Sequence, residues 1–378
     1  MQPNTDRIRT THVGSLPRRP DLLGLLLARE RGDTVDSAAY GACLADAVKE
    51  VVARQVATGI DLVSDGESGK IAYSLYVKDR LTGFGGQAGP RPHLDLKEFP
   101  EFAARAKKFP ILSPNCIGPI AWKNREPLDA DLRNFRSAVS AAKPVGTFMT
   151  AASPGLVAYF MPNRYFPTHE AYLEALGAVL REEYDAIIAA GFDLQLDCPD
   201  LAMSRHIGYS MDADDVFRRK CEAAVDVLNA VTSHIPAERM RMHLCWGNYS
   251  GPHHFDLPLE RVLPLALKAR PSAISFEGAN PRHEHEWEVF STIRLPEDRL
   301  IIPGVIDSTT NFIEHPRLVA QRIERYAGVV GRERVIAGVD CGFATIATYE
   351  GVDPEIAWAK LGALSEGARL ASQRLWKH

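Results

Sequence analysis

Short apolar runs that end in polar or glycine-rich clusters recur eight times along the chain, at residues 11–13, 60–63, 145–149, 192–196, 240–244, 273–276, 301–302 and 335–339. Runs of this length bounded by turn formers read as buried strands. The stretches between them carry helical periodicity instead. Across residues 166–190, Tyr172, Leu173, Leu176, Val179, Leu180, Tyr184 and Ile187 recur at steps of three and four, and Gly191 follows as a stop. Similar helices are predicted over 213–232, with Asp212 as N-cap, over 316–326 and over 354–375. Helices over 20–30 and 37–57 complete the first crossover. Strands that alternate with helices pair in parallel through right-handed crossovers. Eight of them predict an α/β fold, a single (β/α)8 TIM barrel.

One gap, between the second and third strands, is too long for a crossover alone. It holds Gly83-Phe84-Gly85-Gly86, a stretch rich in Pro and Lys, and residues 109–122. We read residues 83–140 as an insertion, a hairpin over the barrel mouth, because long loops in compact domains are usually functional. No repeat, low-complexity tract or Ser/Gly linker divides the chain, so residues 1–378 are expected to form one domain.

Composition narrows the partners. The chain has 44 Lys and Arg against 48 Asp and Glu, a net charge of −4, with 46% hydrophobic and 24% charged residues. That excludes disorder, collagen and coiled coil. No Lys/Arg block offers a footprint for nucleic acid or an anionic membrane surface, and no apolar run approaches the ~20 residues of a membrane span. The opening segment lacks the apolar stretch and cleavage site of a signal peptide, so a cytoplasmic protein acting on small molecules is expected. Six cysteines (Cys43, Cys116, Cys198, Cys221, Cys245 and Cys341) are too sparse for a disulfide framework. In a reducing compartment each is a packed thiol, a nucleophile or a metal ligand.

A polar cluster follows each run: Gly14-Ser15, Asp65-Gly66-Glu67, Ser153-Pro154-Gly155, Asp197-Cys198-Pro199-Asp200, Cys245-Trp246-Gly247-Asn248, Glu277-Gly278-Ala279-Asn280, Asp307-Ser308 and Asp340-Cys341-Gly342. In a β/α barrel these positions ring the C-terminal face, where active sites lie. Within the ring stand His243, Cys245, Glu277 and Cys341. His243 and Cys245 are two apart, so on extended backbone both side chains face the same way. Thiolate, imidazole and carboxylate in a set of four suit tetrahedral Zn2+. Singly, each residue is as readily a core thiol, a hydrogen-bonded histidine or a solvated acid. Four at the ends of different strands favour a metal. Trp246, directly after Cys245, is a candidate pocket wall, with the core as its alternative place.

His243-x-Cys245, Glu277 and Asp340-Cys341-Gly342, taken with His12-Val13-Gly14-Ser15-Leu16-Pro17 and Asp65-Gly66-Glu67, resemble the catalytic barrel of cobalamin-independent methionine synthase. The resemblance runs from about Arg9 to the last helix. It implies a zinc-containing barrel that alkylates a thiol, in a wider family that includes the epoxyalkane:coenzyme M transferases. By that resemblance His243, Cys245, Glu277 and Cys341 match the zinc ligands, Gly14 and Ser15 the loop that holds the homocysteine carboxylate, and Glu67 and Asp197 the acids that hold its amino group. Two carboxylates facing one cavity are costly without a cation between them, which independently favours an ammonium-bearing substrate.

The sequence also departs from that family. The second, N-terminal barrel of the full-length enzymes has no counterpart, so a core enzyme is expected. Asp197-Cys198-Pro199-Asp200-Leu201 replaces Asp-Glu-Pro-Ala-Leu, and no Trp stands in residues 150–164 to support a pterin. Where the family has Asp-x-His-Ser, with the histidine as proton donor to the folate, this chain has Asp307-Ser308-Thr309-Thr310. A threonine hydroxyl is no general acid near neutral pH. Either His315, a few residues on, serves beside Asp307, or the donor needs no protonation. Cys198 is close enough to the site to be reactive. Cys43, Cys116 and Cys221 read as packed thiols, and the loop histidines His253, His254, His283 and His285 as surface residues. The leading expectation is a zinc-dependent alkyltransferase acting on a small thiol and an alkyl donor that is not folate. A lyase or epoxide:thiol transferase, and a zinc-binding barrel without turnover, are the alternatives.

Overall fold

Six strands pair in register and in parallel: β1 (Leu62–Val63), β4 (Gly146–Ala152), β5 (Asp193–Asp197), β6 (Met240–His243), β7 (Ala273–Phe276) and β8 (Leu300–Pro303), in the order β1-β4-β5-β6-β7-β8. The structure is a computed structural model and describes residues 1–91, 93–105, 113–348 and 351–376. Leu62 on one edge of the sheet shares an apolar cluster with Phe148, Ala273, Leu300, Ile302 and Ile336, so the sheet is curled until its edges approach. Two of the expected strands are extended segments joined to those edges by isolated parallel bridges. Thr11 bridges Leu62, Thr10 bridges Ala337, Ile301 bridges Val335 and Gly304 bridges Gly338.

Helices cover the outer face. His169–Ala189 buries Tyr172, Leu173, Leu176, Leu180, Tyr184 and Ile187, and the Thr168 hydroxyl caps it by accepting from the Ala171 N–H at 3.1 Å. Pro354–Leu375 starts at Asp353 and Pro316–Val330 at His315, both side-chain caps followed by proline in the first turn. The expected Asp212 cap is not used. Its helix runs Asp214–Val231 without a side-chain cap, and Asp212 pairs with Lys220 at 2.7 Å instead. No helix among the described residues is long and apolar enough to cross a membrane.

The region between β1 and β4 has two parts. Strands β2 (Phe84–Gly85) and β3 (Asn115–Cys116) form an antiparallel pair, and helices Leu94–Glu98 and Pro100–Arg105 lie between them. His93 bridges Ile207, and the Leu94 N–H donates to the His206 carbonyl at 3.0 Å, which ties this segment to the loop after β5. Residues 92 and 106–112, the latter overlapping the expected 109–122 segment, lie outside the described residues. The end of the expected insertion is a different element. Glu126–Ala142 buries Leu128, Leu132, Phe135 and Ala138 and packs on Ser37–Ala57 as part of the outer helix layer.

Inside the curl the layers are distinct. Above the apolar cluster lies Arg241, wholly buried, donating to Gln195 at 2.7 Å and Thr11 at 2.8 Å, with its guanidinium 3.8 Å from the Phe148 ring centroid. Strand alternation then places His243 one step higher, beside Asp197. At the last strand a side chain on Gly304 would come 2.7 Å from the backbone of Asp340. Backbone cannot yield as a flexible side chain does, so Gly304→Ala should destabilise the fold by about 1–3 kcal/mol. Urea denaturation checks this, and an unchanged midpoint would contradict the close packing of these segments.

Candidate functional site

Three ligand-type groups converge at the C-terminal end of the sheet. The imidazole of His243 and the sulfurs of Cys245 and Cys341 lie within 4.8 Å of one another, all buried, and the two sulfurs are 3.5 Å apart and unbonded. Extended backbone through residues 243–245 turns His243 and Cys245 to one face, as their spacing predicts. Cys341 arrives from the segment joined to β8. His243 Nδ1 lies 3.3 Å from the Ser275 hydroxyl, and Nε2 has no hydrogen-bond partner among the described residues. Burial, with Arg241 below, lowers the His243 pKa to about 3, so the ring is neutral and its nitrogen lone pair is available to a metal. The Cys341 sulfur beside it, and then burial, push the Cys245 thiol well above the ordinary range. An added cation would reverse that preference.

Glu277 lies beside Cys245 but outside the three groups that converge within 4.8 Å. Its carboxylate accepts from the Trp246 N–H at 2.7 Å and from Asn280 Nδ2 at 2.8 Å, and it is not among the groups that converge. Burial and then the neighbouring Cys245 push its pKa well up. Asp340 fixes the loop that carries it by accepting from the backbone N–H groups of Gly278, Ala279 and Asn280, each at 2.8 Å.

The trio borders a cavity of about 800 Å³ whose walls also hold Ser15, Glu67 and Asp197. Glu67 adopts φ of +54°, a left-handed conformation that costs a non-glycine residue about 1–2 kcal/mol. Its Oε1 accepts from the Thr150 hydroxyl at 2.7 Å, and Oε2 is buried without a partner. Lys70 steadies Thr150, donating to its carbonyl at 2.7 Å and its hydroxyl at 2.8 Å. Gly14 has φ of +154°, and a Cβ there would come 2.7 Å from Thr150 Cγ2 and 2.9 Å from Glu67 Oε1, so a larger residue would push on both side chains. Asp197 accepts from Gln195 at 2.8 Å, and burial followed by the nearby Glu67 raises its pKa to about 8.

Other candidates lie elsewhere. Trp246 is fully buried in the core, donates to the Leu257 carbonyl at 2.6 Å and packs on His283. Once Cys245 faces the cavity, its neighbour faces away. Asp307 accepts from the Thr309 N–H and hydroxyl and from the Thr310 hydroxyl, closing its own loop. His315 is exposed at a helix start and accepts from the Arg317 N–H at 3.1 Å. Neither Asp307 nor His315 lines the cavity. Cys198 is buried away from the cavity, and burial pushes its thiol well up, so it is not set up to react. His283 is buried instead of solvated, bridging Glu286 at 2.7 Å and Asp256 at 3.1 Å, and Asp256 also meets His253.

No family model matches the chain. Over 371 residues it is 24% identical to a methionine synthase of Sulfolobus acidocaldarius, covering 97% of this chain and 93% of that protein. Over 179 residues it is 27% identical to a 2-hydroxypropyl-CoM lyase of Xanthobacter autotrophicus, covering 41% of this chain and 46% of the other. A B12-independent methionine synthase from Shewanella sp. W3-18-1, solved with selenomethionine, superimposes with a TM-score of 0.73 at 20% identity, covering 98% of this chain and 99% of that one. In sequence the chain is similar to methionine synthases, and in fold to a B12-independent methionine synthase. The resemblance carried by the strand-end motifs therefore holds along nearly its whole length.

Several cavity residues carry no sequence motif. Tyr73, Arg91, His93 and Tyr249 line the wall from the β1–β4 region and the loop after β6. Asn248 donates to the Gly342 carbonyl at 2.7 Å and accepts from the Ser308 hydroxyl, linking three strand-end loops. The strained Glu67 beside Asp197 gives a pH test. Folded Asp197 keeps its proton up to pH about 8, whereas an unfolded aspartate releases it near about 4. Raising the pH between these values therefore favours unfolding. Asp197→Asn should gain melting temperature over wild type as pH rises from 4 to 8, with little difference at pH 4. A difference that does not change with pH would contradict the shifted carboxyl.

Proposed function

We propose that this protein is an enzyme that transfers an alkyl group, in the simplest case methyl, to the sulfur of homocysteine or a closely related small thiol, using a zinc ion held by His243, Cys245 and Cys341 with Glu277 as fourth candidate. The observation that carries the reading is the meeting of two unbonded sulfurs and an unpartnered imidazole nitrogen in the wall of a cavity that also holds Glu67 and Asp197. The methionine synthase relatives support the reaction class. The bridges at Thr10, Thr11, Val335 and Gly338 support reading the curled sheet as an eight-membered (β/α) barrel. On that reading the chain is one domain whose insertion begins at Gly83 and ends before Glu126, in the cytoplasm.

Soft and borderline ligands of this kind suit zinc. Bound there, zinc would lower the pKa of an incoming thiol and hold it as a nucleophilic thiolate near neutral pH. The chain's own residues do the rest. Glu67 Oε2 and Asp197 receive the substrate ammonium, which supplies the cation that this pair lacks. Ser15 and the Gly14 backbone hold the substrate carboxylate, and Lys70 with Thr150 fixes Glu67 in its strained conformation. The loop after β8 offers no proton donor, since the Thr309 hydroxyl is bonded to Asp307 and His315 caps an exposed helix. A donor whose leaving group departs without protonation, such as a sulfonium, activated ether or strained epoxide, fits this site better than methyltetrahydrofolate. The similarity to a 2-hydroxypropyl-CoM lyase favours one second reading: a lyase or transferase acting on the C–S bond of a thiol conjugate.

Metal analysis after zinc-supplemented expression should give about one zinc per chain, with Cys245→Ser and Cys341→Ser losing it and Cys43→Ser retaining it. A metal-free preparation would sink the zinc assignment. Homocysteine should bind more tightly than 4-mercaptobutyrate by roughly 2–5 kcal/mol, because the analogue brings no cation to the buried Glu67 and Asp197. Glu67→Gln should narrow that gap, and equal affinities in the wild type would remove the amino-acid specificity. General acid catalysis is worth about 10²–10⁴-fold, so methyltetrahydrofolate should turn over far more slowly than a sulfonium donor. Robust folate-dependent methionine formation would overturn the donor assignment.

A further inference from the structure

A small thiol fills only part of the cavity, whose volume of about 800 Å³ is in the range of pockets that take drug-sized ligands. The wall supplied by the β1–β4 region and the helix Pro154–Phe160 differs chemically from the rim of thiols and acids. It is apolar and aromatic, with Tyr73, Leu96, Tyr159, Phe160 and Ile207 facing the space. Set into it are two cations, Arg105 at the end of the helix Pro100–Arg105 and Arg91, of which Arg91 is held in place. Nη2 of Arg91 donates to the Ser113 hydroxyl at 2.9 Å and the Phe160 carbonyl at 3.0 Å, while Nε is buried without a partner. The guanidinium lies 4.7 Å from the Phe160 ring centroid and 5.2 Å from that of Tyr159. Among the described residues no carboxylate pairs with it. His93 lines the same cavity, with Nδ1 also buried and unpartnered.

A guanidinium held in a fixed plane by two rings and two neutral acceptors, in a mostly apolar enclosure, keeps N–H donors free that suit a planar or tetrahedral anion. Partial desolvation without an opposing charge is unfavourable until an anion arrives. We infer that this wall is an anion subsite for the second substrate, the alkyl donor or conjugate partner, and that it selects a molecule carrying a carboxylate or sulfonate on a compact apolar or aromatic body. The aromatic walls receive the body, and Arg91, assisted by an N–H of His93, receives the anion. This deepens the alkyl-transfer reading and rests on it for the identity of the ligand as a substrate. The acids at the strand ends and the cations on this wall, Arg91 with Arg105 nearby, then sort two ligands of different charge within one space.

Isothermal titration calorimetry of the full chain with 3-phenylpropionate, benzenesulfonate and the uncharged 3-phenylpropanamide tests the subsite without turnover. The wild type should bind at least one of the anions about tenfold or more tightly than the amide, and which anion is preferred identifies the group. Arg91→Gln should reduce that preference about tenfold, more than Arg105→Gln does, and leave amide binding, zinc content and homocysteine binding as in the wild type. Arg91→Lys should retain part of it. Equal wild-type affinities for the amide and both anions would overturn the proposal, even if the variants fail to fold. So would an Arg91→Gln protein that keeps the preference. Failure of zinc or homocysteine binding in the wild type would instead count against the alkyl-transfer reading, since the anion measurement depends on neither.

Discussion

The arrangement turns on negative charge gathered where the protein supplies little of its own to balance it. Glu67, Asp197 and two thiols are buried around one cavity, and Glu277 is buried beside one of those thiols. The cations beneath them are committed elsewhere: Arg241 to Gln195, Thr11 and the His12 carbonyl, and Lys70 to Thr150. Burying acids in this way is costly unless ligands carry the missing positive charge. Burial first and then neighbouring acids or thiols raise the pKa values of Asp197 and Glu277, Cys341 and then burial raise that of Cys245, and Glu67 Oε2 has no partner among the described residues. A metal beside the sulfurs and an ammonium beside the carboxylates would each supply missing positive charge.

Such a site needs rigid support, because groups that repel one another would otherwise move apart. Parallel register sets Asp197 level with His243, and the loops above are knotted to one another. Asp340 holds the Gly278–Asn280 turn through three N–H groups, Asn280 holds Glu277, and Asn248 joins the loops after β6 and β8 to Gly342. Behind Trp246, the His283–Asp256–Glu286 network fills the space with buried polar groups bonded to one another. Asp340 and Asn248 act here through position, with no approach to a reacting atom required.

The parts of this molecule that were legible in sequence are those governed by short-range periodicity. Alternation within 240–245 located His243 and Cys245 on one face, and the polar residues after each apolar run located the rim. The same alternation, applied one residue further, would have sent Trp246 into the core. Misplaced residues belong to loops, whose course depends on distant partners. His315 precedes a proline-started helix and caps it, Asp307 closes its own turn, and Asp212 turns to Lys220. His253 and His283 sit in polar stretches that look solvated in sequence, yet Asp256 gathers both under cover. Arg91 and His93 were invisible because their importance comes from the insertion folding back on the β5 loop through the His93–Ile207 bridge. The curl of the sheet was foreseen from the count of runs, while Thr10–Thr11 and residues 335–338 make bridges too short to register as strands.

The central claim is that the two sulfurs and the imidazole form a centre able to take a substrate sulfur as a further ligand. Zinc K-edge X-ray absorption of the metal-loaded protein, recorded with and without homocysteine, tests it directly. The account predicts two sulfur scatterers and one imidazole in the free protein, with the sulfur count rising to three when homocysteine is added. A first shell that lacks the two protein sulfurs, or one that the thiol leaves unchanged, would contradict it.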